Sequence, residues 1–170
     1  MDIKNKLRHV LDFPKVGIDF IDIAPLMQDG DFFKFTIDSM ADEIKNTDFD
    51  LIVSSEARGF LIGAPIAYSL GKGFAPVRKQ GKLPFETVSE NYSLEYGKDT
   101  LEMHIDAVLP GQRVVLIDDI LATGGTIEAN IRLVEKLGGV VVKIMFLAEL
   151  TEIPHSKKID EYGVFSLVKL

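Results

Sequence analysis

The order of apolar and polar positions along the chain predicts strands that alternate with helices. Four short segments predict strands: 50–54, 73–78, 114–117 and 140–147. All but 73–78 have the largely apolar pattern of buried strands, and the run 114–117 is typical of a strand that is covered on both faces of a sheet. Apolar residues recur at helical spacing in three other segments: 32–45, 59–70, which contains Pro65, and 127–137, which Gly138 and Gly139 can end. This alternation implies an α/β domain with a largely parallel central sheet flanked by helices.

Two other regions have less regular patterns. Residues 1–30 begin with a short amphipathic piece and continue as an irregular segment. Residues 79–94 are polar and lack core periodicity, which predicts a long exposed loop, and loops of that length are usually lids or disordered. Basic residues at its base favour a lid. Residues 92–96 and 100–105 partly alternate around 97–99, which predicts an antiparallel hairpin.

The stretch from 114 to 126 carries the clearest chemical signal. Asp118 and Asp119 follow the apolar strand 114–117, where we expect that strand to surface at the carboxyl end of the sheet. Small residues with two hydroxyl groups and closely approachable backbone amides come next, just before a helix: Ala122, Thr123, Gly124, Gly125 and Thr126. Such a turn at a helix N-terminus is a cradle for a phosphate group.

Each part of this stretch also has an ordinary explanation. Two aspartates after an apolar strand are usually a solvated strand end or a helix cap, and Thr-Gly-Gly is usually a turn. No lysine follows the glycines as in a Walker motif, and no GxGxxG motif occurs. Carboxylates do not hold phosphate, so the ordered combination points to a ligand with hydroxyl groups or a metal beside its phosphate. A phosphorylated sugar meets that demand.

Basic residues follow two of the predicted strands. Arg58 lies at a second strand-to-helix junction, where its forked donors and the free backbone amides suit a diphosphate. The alternative is a surface ion pair of Arg58 with Glu56 or another acid. The group Arg78, Lys79 and Lys82 stands at the base of the predicted lid, and its alternative is a solvated patch.

Composition restricts the class of protein. A chain of 170 residues is long enough for one domain with a sizeable core. The net charge of -7 argues against a nucleic-acid partner. No apolar run reaches the roughly 18 residues of a membrane span, and the N-terminus lacks the apolar segment of a signal peptide. The absence of cysteine fits a cytoplasmic protein. The three histidines show no metal-ligand spacing.

The motifs together resemble a known family. VVLIDDILATGGT, residues 114–126, resembles the diphosphoribosyl-binding signature of the type I phosphoribosyltransferases. EARGF, RKQGKLP and YSLEYG, within residues 54–97, resemble the adenine branch of that family, and the similarity extends over roughly residues 7–151. The resemblance implies a type I phosphoribosyltransferase fold over residues 1–170.

Within that fold, the resemblance implies a small N-terminal hood at 1–30, a core at 31–150, a flexible lid loop and hairpin at 79–106, and a C-terminal segment at 151–170. It implies an enzyme of purine salvage that forms AMP and diphosphate from adenine and 5-phosphoribosyl 1-diphosphate. The expected cofactor is Mg²⁺, held mainly by substrate and water, and the expected assembly is a cytoplasmic homodimer.

The resemblance also implies roles for individual residues. Ribose hydroxyls would bind Asp118 and Asp119, and the 5-phosphate would bind Ala122, Thr123, Gly124, Gly125 and Thr126. The diphosphate would bind Arg58, Arg78, Lys79 and Lys82. The expected catalytic residues are Glu95, Arg58, Lys82 and Tyr96, of which Glu95 and Tyr96 would close over the reacting centre. Adenine would lie among Phe20, Asp19, Ile21, Arg58 and Leu150, with its ring stacked on Phe20.

One segment departs from the family pattern. The chain has Phe20-Ile21-Asp22 where the family usually has Phe-Arg-Asp or Phe-Lys-Asp, and Asp19 is an unusual polar choice beside it. This departure leaves open a phosphoribosyltransferase with a different base preference. A non-catalytic sensor of phosphoribosyl diphosphate or a nucleotide is a second alternative. The presence of Lys82 and Glu95 in the lid argues against a sensor.

Overall fold

The computed structural model describes the backbone of residues 1–94 and 97–170 and the side chains of residues 1–92 and 99–170. A short 3-10 turn, Lys4–Lys6, precedes the first strand. The strands are β1 (Arg8–Leu11), β2 (Asp19–Asp22), β3 (Leu51–Ser55), β4 (Gly73–Lys79), β5 (Thr87–Leu94), β6 (Gly97–His104), β7 (Arg113–Leu121), β8 (Val140–Glu149) and β9 (Val164–Lys169). The helices are α1 (Ala24–Gln28), α2 (Gly30–Ile44), α3 (Arg58–Ser69), α4 (Gly125–Lys136) and α5 (Lys157–Asp160).

The central sheet has seven strands in the order β5-β6-β4-β3-β7-β8-β9. Strands β4, β3, β7, β8 and β9 run parallel, and the β5–β6 hairpin adds two antiparallel strands at one edge. The predicted α/β fold with a largely parallel sheet flanked by helices is therefore confirmed. The carboxyl ends of β3, β7 and β8 lie side by side, which brings the loops that follow them together.

Alternate residues of β7 enter two separate hydrophobic clusters. Val114 and Leu116 pack in the cluster that includes α4, whereas Val115 and Ile117 pack in the cluster that includes α2 and α3. Both faces of the sheet are therefore covered, which explains the continuous apolar runs in the sequence. Among the helices of the described residues, none is long and apolar enough to cross a lipid bilayer.

The prediction of an irregular segment at residues 13–30 was wrong in part, because β2 and α1 lie within it. β1, in the amphipathic piece before it, pairs with β2 as an antiparallel N-terminal sheet, and in the turn between them the Asp12 side chain accepts a hydrogen bond from the Gly17 N–H at 2.7 Å. Strands of four residues with largely exposed side chains leave little period-two signal. Ile21 is the exception, since it is 4% exposed and packs in the core with α3.

The prediction of a long loop at residues 79–94 was also wrong in part. β5 begins at Thr87 and pairs with β6 over its whole length, so the loop between β4 and β5 is much shorter. The predicted turn residues 97–99 belong to β6. The alternation of β5 was obscured because Glu90, a charged residue, lies at the inward position between Val88 and Tyr92.

The signature strand is longer than predicted. β7 continues to Leu121, so Asp118 and Asp119 lie within the strand and are 8% and 5% exposed, rather than surfacing after it. Pairing with β8 extends the strand as far as Leu121 opposite Glu149. The edge strand β9 was not predicted at all, because its half-buried side chains give neither a continuous apolar run nor a clean alternation.

Candidate functional site

Two buried carboxylates form the centre of the candidate site. Asp118 Oδ1 accepts a hydrogen bond from the Asp119 N–H at 3.0 Å. Burial raises the pKa of Asp118 well above its ordinary value, and the neighbouring charge of Asp119 raises it further. Burial also raises the pKa of Asp119, but Arg58 opposes that increase. The two residues therefore share a site where carboxylate charge is costly unless a ligand or a cation compensates it.

Arg58 supplies part of that compensation. Its Nε lies 2.7 Å from Asp119 Oδ2, which makes an ion pair, but the N–H of Arg58 is not aimed at that oxygen. Among the described residues, no other group donates a hydrogen bond to this buried oxygen either. The ion pair that was the alternative explanation for Arg58 is therefore present, with Asp119 rather than Glu56 as its partner. Because Asp119 Oδ2 still has the capacity to accept a hydrogen bond, it is suited to a ligand hydroxyl group.

Arg58 also contacts the N-terminal sheet. Its Nη1 donates to the Ile21 carbonyl oxygen at 3.1 Å, and its guanidinium carbon lies 4.7 Å from the centre of the Phe20 ring. These contacts place a cation and an aromatic face within reach of the Asp119 carboxylate. The side chain of Ile21 points into the core, so only its backbone is available to the site.

Gly59 allows α3 to approach the carboxylates. A β carbon at this position would lie 2.7 Å from Asp118 Oδ1 and 3.4 Å from the Ile117 carbonyl oxygen. Any larger residue would therefore displace the carboxylate or the start of the helix. Sequence analysis did not single out Gly59. The signal was the glycine that directly follows Arg58 in EARGF.

The glycine-rich turn forms a small concave surface at the start of α4. Gly124 has a φ of 86°, a left-handed conformation that favours glycine, and the helix begins at Gly125 with unpaired backbone amides. The side chain of Ile159, on α5, lies directly behind Gly124. A cavity of about 80 Å³ at this point is lined by Asp118, Ile120, Leu121, Ala122, Thr123, Gly124, Gly125, Thr126, Ile127 and Phe146. The five residues predicted as the phosphate cradle therefore lie together beside Asp118.

A buried hydrogen bond joins α4 to the end of β3. Asn130 Nδ2, on α4, donates to Ser55 Oγ at the end of β3 at 2.6 Å, and both residues are fully or almost fully buried. Among the described residues, Asn130 Oδ1 has no hydrogen-bond donor. Sequence analysis missed this pair, because 75 residues separate its members.

The predicted cationic group is held by acidic residues. Arg78 Nη2 lies 3.0 Å from Glu56 Oε2, and Glu56 Oε1 accepts a hydrogen bond from the Lys79 backbone N–H at 2.6 Å. Burial opposes ionisation of Glu56, but these contacts hold its pKa below the ordinary value. Lys79 Nζ lies 3.1 Å from Asp99 Oδ2. The Lys82 carbonyl oxygen accepts a hydrogen bond from Arg78, which draws the three basic residues to one end of β4.

The remaining predicted site residues have different positions. Asp19 Oδ2 lies 2.6 Å from His9 Nδ1 in the N-terminal sheet. Leu150 is half-buried, and its N–H donates to the Leu121 carbonyl oxygen at 2.9 Å, so it lies beside the end of β7. Glu95 and Tyr96 lie outside the described residues. In the part of the chain that the structure describes, no group of three or more histidine, aspartate or glutamate side chains is arranged to hold a metal ion.

Comparisons with known proteins agree with this geometry. Residues 28–170 match the family model described as "Phosphoribosyl transferase domain". A protein of Caldicellulosiruptor saccharolyticus named adenine phosphoribosyltransferase is 60% identical over 169 residues, which cover 99% of this chain and 97% of that protein.

Solved structures give the same result. The crystal structure of adenine phosphoribosyltransferase from Thermoanaerobacter pseudethanolicus has a TM-score of 0.96 and 56% identity, and covers 99% of this chain and 98% of that one. The enzyme of Giardia lamblia in complex with 9-deazaadenine has a TM-score of 0.93 and 31% identity, and covers 99% and 96% of the two chains.

Proposed function

The chain belongs to the phosphoribosyltransferase family, in the branch of the adenine phosphoribosyltransferases, and from this we propose how its site performs that branch's reaction. The reaction transfers a phosphoribosyl group from 5-phosphoribosyl 1-diphosphate to adenine and releases AMP and diphosphate, a step of purine salvage. The observation that carries the proposal is the convergence of the site residues at the carboxyl ends of the central strands. These residues are Asp118, Asp119, Arg58 and the Gly124–Gly125 cradle.

The sugar phosphate binds along the end of β7. The amides at the start of α4 and the hydroxyls of Thr123 and Thr126 bind its 5-phosphate, because a helix N-terminus with unpaired N–H groups favours an anion. The ribose hydroxyls donate to Asp118 and Asp119. Since Arg58 covers Asp119 Oδ2 in this structure, ribose binding requires a small displacement of the guanidinium group.

The displaced Arg58 has a second task at the diphosphate. Its forked N–H groups can bind two phosphate oxygens, and Arg78, Lys79 and Lys82 add positive charge from the end of β4. Arg78 and Lys79 are paired with Glu56 and Asp99, so they are oriented before the substrate arrives. This arrangement stabilises the negative charge that grows on the leaving diphosphate.

The adenine ring binds between the N-terminal sheet and Leu150. The face of Phe20 already holds a planar cation, the guanidinium group of Arg58, so an aromatic base can stack there when Arg58 turns toward the diphosphate. Leu150 supplies an apolar wall from the end of β8. Asp19 is engaged with His9, and the Ile21 side chain is in the core, so base recognition here depends on backbone groups and apolar contacts.

The chemical step breaks the bond between the anomeric carbon and the diphosphate oxygen while an adenine ring nitrogen forms a bond to that carbon. The sugar becomes cationic, and the nearby carboxylates of Asp118 and Asp119 are of the sign that stabilises it. The ring nitrogen must also lose a proton, and Glu95, water or a phosphate oxygen can accept it. Tyr96 is proposed to close over the reacting centre beside Glu95.

Magnesium fits this site. Mg²⁺ usually binds substrate phosphates and water with at most one or two carboxylates, and the ribose hydroxyls are proposed to occupy Asp118 and Asp119, so the diphosphate and water would be its main ligands. When bound, the ion supplies positive charge to the diphosphate and so assists its departure. The protein residues that orient the diphosphate are Arg58, Arg78, Lys79 and Lys82.

Three further features are part of the proposal. The loop and hairpin at 79–106 act as a lid that excludes water, which would otherwise destroy the activated sugar. Residues 1–30 act as a hood over the base, residues 31–150 as the core and residues 151–170 as a C-terminal segment within one domain. The enzyme works as a homodimer in the cytoplasm.

The test is a product assay with 5-phosphoribosyl 1-diphosphate and Mg²⁺ and, in parallel, adenine, hypoxanthine, guanine, xanthine or orotate. We expect AMP from adenine and no appreciable product from the other bases. Turnover with another base alone would keep the sugar-phosphate site and overturn the base pocket. Binding of 5-phosphoribosyl 1-diphosphate without turnover of any base would overturn the enzyme in favour of a sensor.

A further inference from the structure

Glu90, on β5, binds two basic residues of α4. Its Oε1 accepts from Lys136 Nζ at 2.8 Å, and its Oε2 accepts from Arg132 Nε at 3.1 Å. The same cations donate to the backbone of β5, Lys136 to the Ser89 carbonyl oxygen at 2.9 Å and Arg132 to the Asn91 carbonyl oxygen at 3.1 Å. These contacts, here called the Glu90 clamp, fasten the hairpin to α4.

The position of Glu90 distinguishes the clamp from a solvated surface ion pair. Its side chain is 19% exposed and lies at the inward position of β5 between Val88 and Tyr92. Hydrogen bonds from Lys136 and Arg132 keep the pKa of its carboxyl below the ordinary value, although burial opposes them. An apolar residue would suit that inward position better for packing alone, so the charge has another purpose.

The clamp connects the two protein elements that are proposed to bind the two ends of the substrate. On one side, Arg132 and Lys136 belong to the helix whose first residues form the phosphate cradle. On the other side, the hydroxyl of Tyr92 donates to Asp99 Oδ2 at 3.3 Å, and the same oxygen lies 3.1 Å from Lys79 Nζ. The hairpin thus joins the helix that holds the 5-phosphate to a cation proposed for the diphosphate.

We propose that Glu90 is a positioning residue of the reaction, which sets the hairpin, and through Tyr92 and Asp99 the ammonium group of Lys79, at a fixed distance from the cradle. This positioning role rests on the proposed function, since it assumes one substrate that has a phosphate group in the cradle and a diphosphate beside Lys79. Glu90 does not itself touch the substrate. Its effect is to keep the diphosphate cation in register with the 5-phosphate site.

The experiment compares Glu90→Gln and Glu90→Lys with the wild type. Glu90→Gln keeps the shape and removes the charge, whereas Glu90→Lys opposes Arg132 and Lys136. The matched control is Glu43→Gln, which removes a similar ion pair with Lys143 between α2 and β8. A triple variant, Glu90→Lys with Arg132→Glu and Lys136→Glu, reverses all charges of the clamp and tests for rescue.

Steady-state kinetics, thermal stability and hydrogen exchange are measured for each variant. The measured quantities are kcat and KM for 5-phosphoribosyl 1-diphosphate and separately for adenine, the Tm, and the hydrogen-exchange rates of the amides of residues 87–92. For Glu90→Gln we expect kcat/KM for 5-phosphoribosyl 1-diphosphate to fall by about tenfold, because small misplacements of binding groups cost up to about 10²-fold. The KM for adenine and the Tm should change little, hairpin exchange should accelerate, and the triple variant should recover part of the loss in Glu90→Lys.

The outcomes separate the clamp from the proposed function. Kinetic constants within about twofold of the wild type in both Glu90→Gln and Glu90→Lys would overturn the positioning role. A fall in kcat/KM no larger than that in the control Glu43→Gln would also overturn it. A fall in Tm with equal effects on both substrates would overturn it in favour of a structural role. A wild-type protein without phosphoribosyl transfer would overturn the proposed function, and unchanged hairpin exchange in Glu90→Lys would independently overturn the clamp itself.

Discussion

Gly59 and Asp118 approach each other so closely that a β carbon on the glycine would stand 2.7 Å from the carboxylate oxygen Oδ1. Real β carbons do not tolerate that distance, so the first turn of α3 can pack on β7 only when residue 59 is glycine. The contact sets the position of Asp118 and, through the same turn, the position of Arg58.

Gly59→Ala is therefore expected to damage the site more than the fold. Overpacking of this kind usually costs about 1–3 kcal/mol of stability, and displacement of Asp118 is expected to lower kcat/KM by about 10²-fold. Steady-state kinetics and thermal unfolding measure the two effects. Gly30→Ala is the control, because a β carbon there meets nothing within 4 Å. Similar kinetics in both variants would contradict the role given to Gly59.

Asp118→Asn is expected to reduce turnover and to stabilise the protein at neutral pH. The amide oxygen can still accept from the Asp119 N–H, but the charge that assists the cationic sugar is lost, which should cost about 10²–10³-fold in kcat. Near-normal activity would exclude Asp118 from the site.

The stability effect in Asp118→Asn has a defined sign. Burial raises the pKa of Asp118 in the folded state, so its contribution to stability is fully present below the unfolded pKa and is lost as the pH rises through the folded value. We therefore expect the Tm of the variant to exceed that of the wild type at neutral pH, with the difference shrinking as the pH falls toward 3.8, the ordinary value. A difference that grows on acidification would contradict this account.

Arg58→Lys keeps the positive charge and is nevertheless expected to be severely impaired. A lysine cannot contact Asp119, the Ile21 carbonyl oxygen and the Phe20 ring from one side chain, as the guanidinium group does. We expect kcat/KM to fall by about 10²-fold, the usual effect of losing one donor aimed at developing charge. Arg113→Lys, at the opposite end of β7, is the control and should retain normal kinetics.

The hydrogen bond between Asn130 and Ser55 gives a test of stability. Ser55→Ala leaves the buried amide of Asn130 without its partner, which should cost about 1–3 kcal/mol. Replacing both, as Ser55→Ala with Asn130→Leu, removes the unpaired groups and should restore much of that loss. Denaturant unfolding of the two single variants and the double variant measures the coupling. Additive losses would show that the residues act independently.

Local sequence chemistry predicted the parts of the site that are continuous in the chain. The strand before Asp118, the glycine-rich turn and the helix after it are each specified by neighbouring residues, and the turn at Gly124 requires a conformation that glycine favours. The same is true of Arg58 at the start of α3.

Contacts between distant segments were less accessible. The sequence predicted a loop at β5 because Glu90 is a charged residue at an inward position. The basic residues that bind it there, Arg132 and Lys136, lie on α4, far along the chain. The sequence named only Glu56 as a specific partner for Arg58, because Glu56 is its neighbour in the chain, and only the folded sheet brings Asp119 Oδ2 to 2.7 Å from Arg58 Nε. The roles of Glu95 and Tyr96 remain predictions from the family resemblance.

The burial of Ile21 bears on how molecules enter and leave the site. This side chain packs in the same apolar cluster as residues of α3 and so anchors the N-terminal sheet to the core. Arg58 also donates a hydrogen bond to the Ile21 carbonyl oxygen. Swinging that sheet aside would expose core surface in every catalytic cycle. We therefore expect the N-terminal sheet to remain stationary while adenine and AMP enter and leave the site.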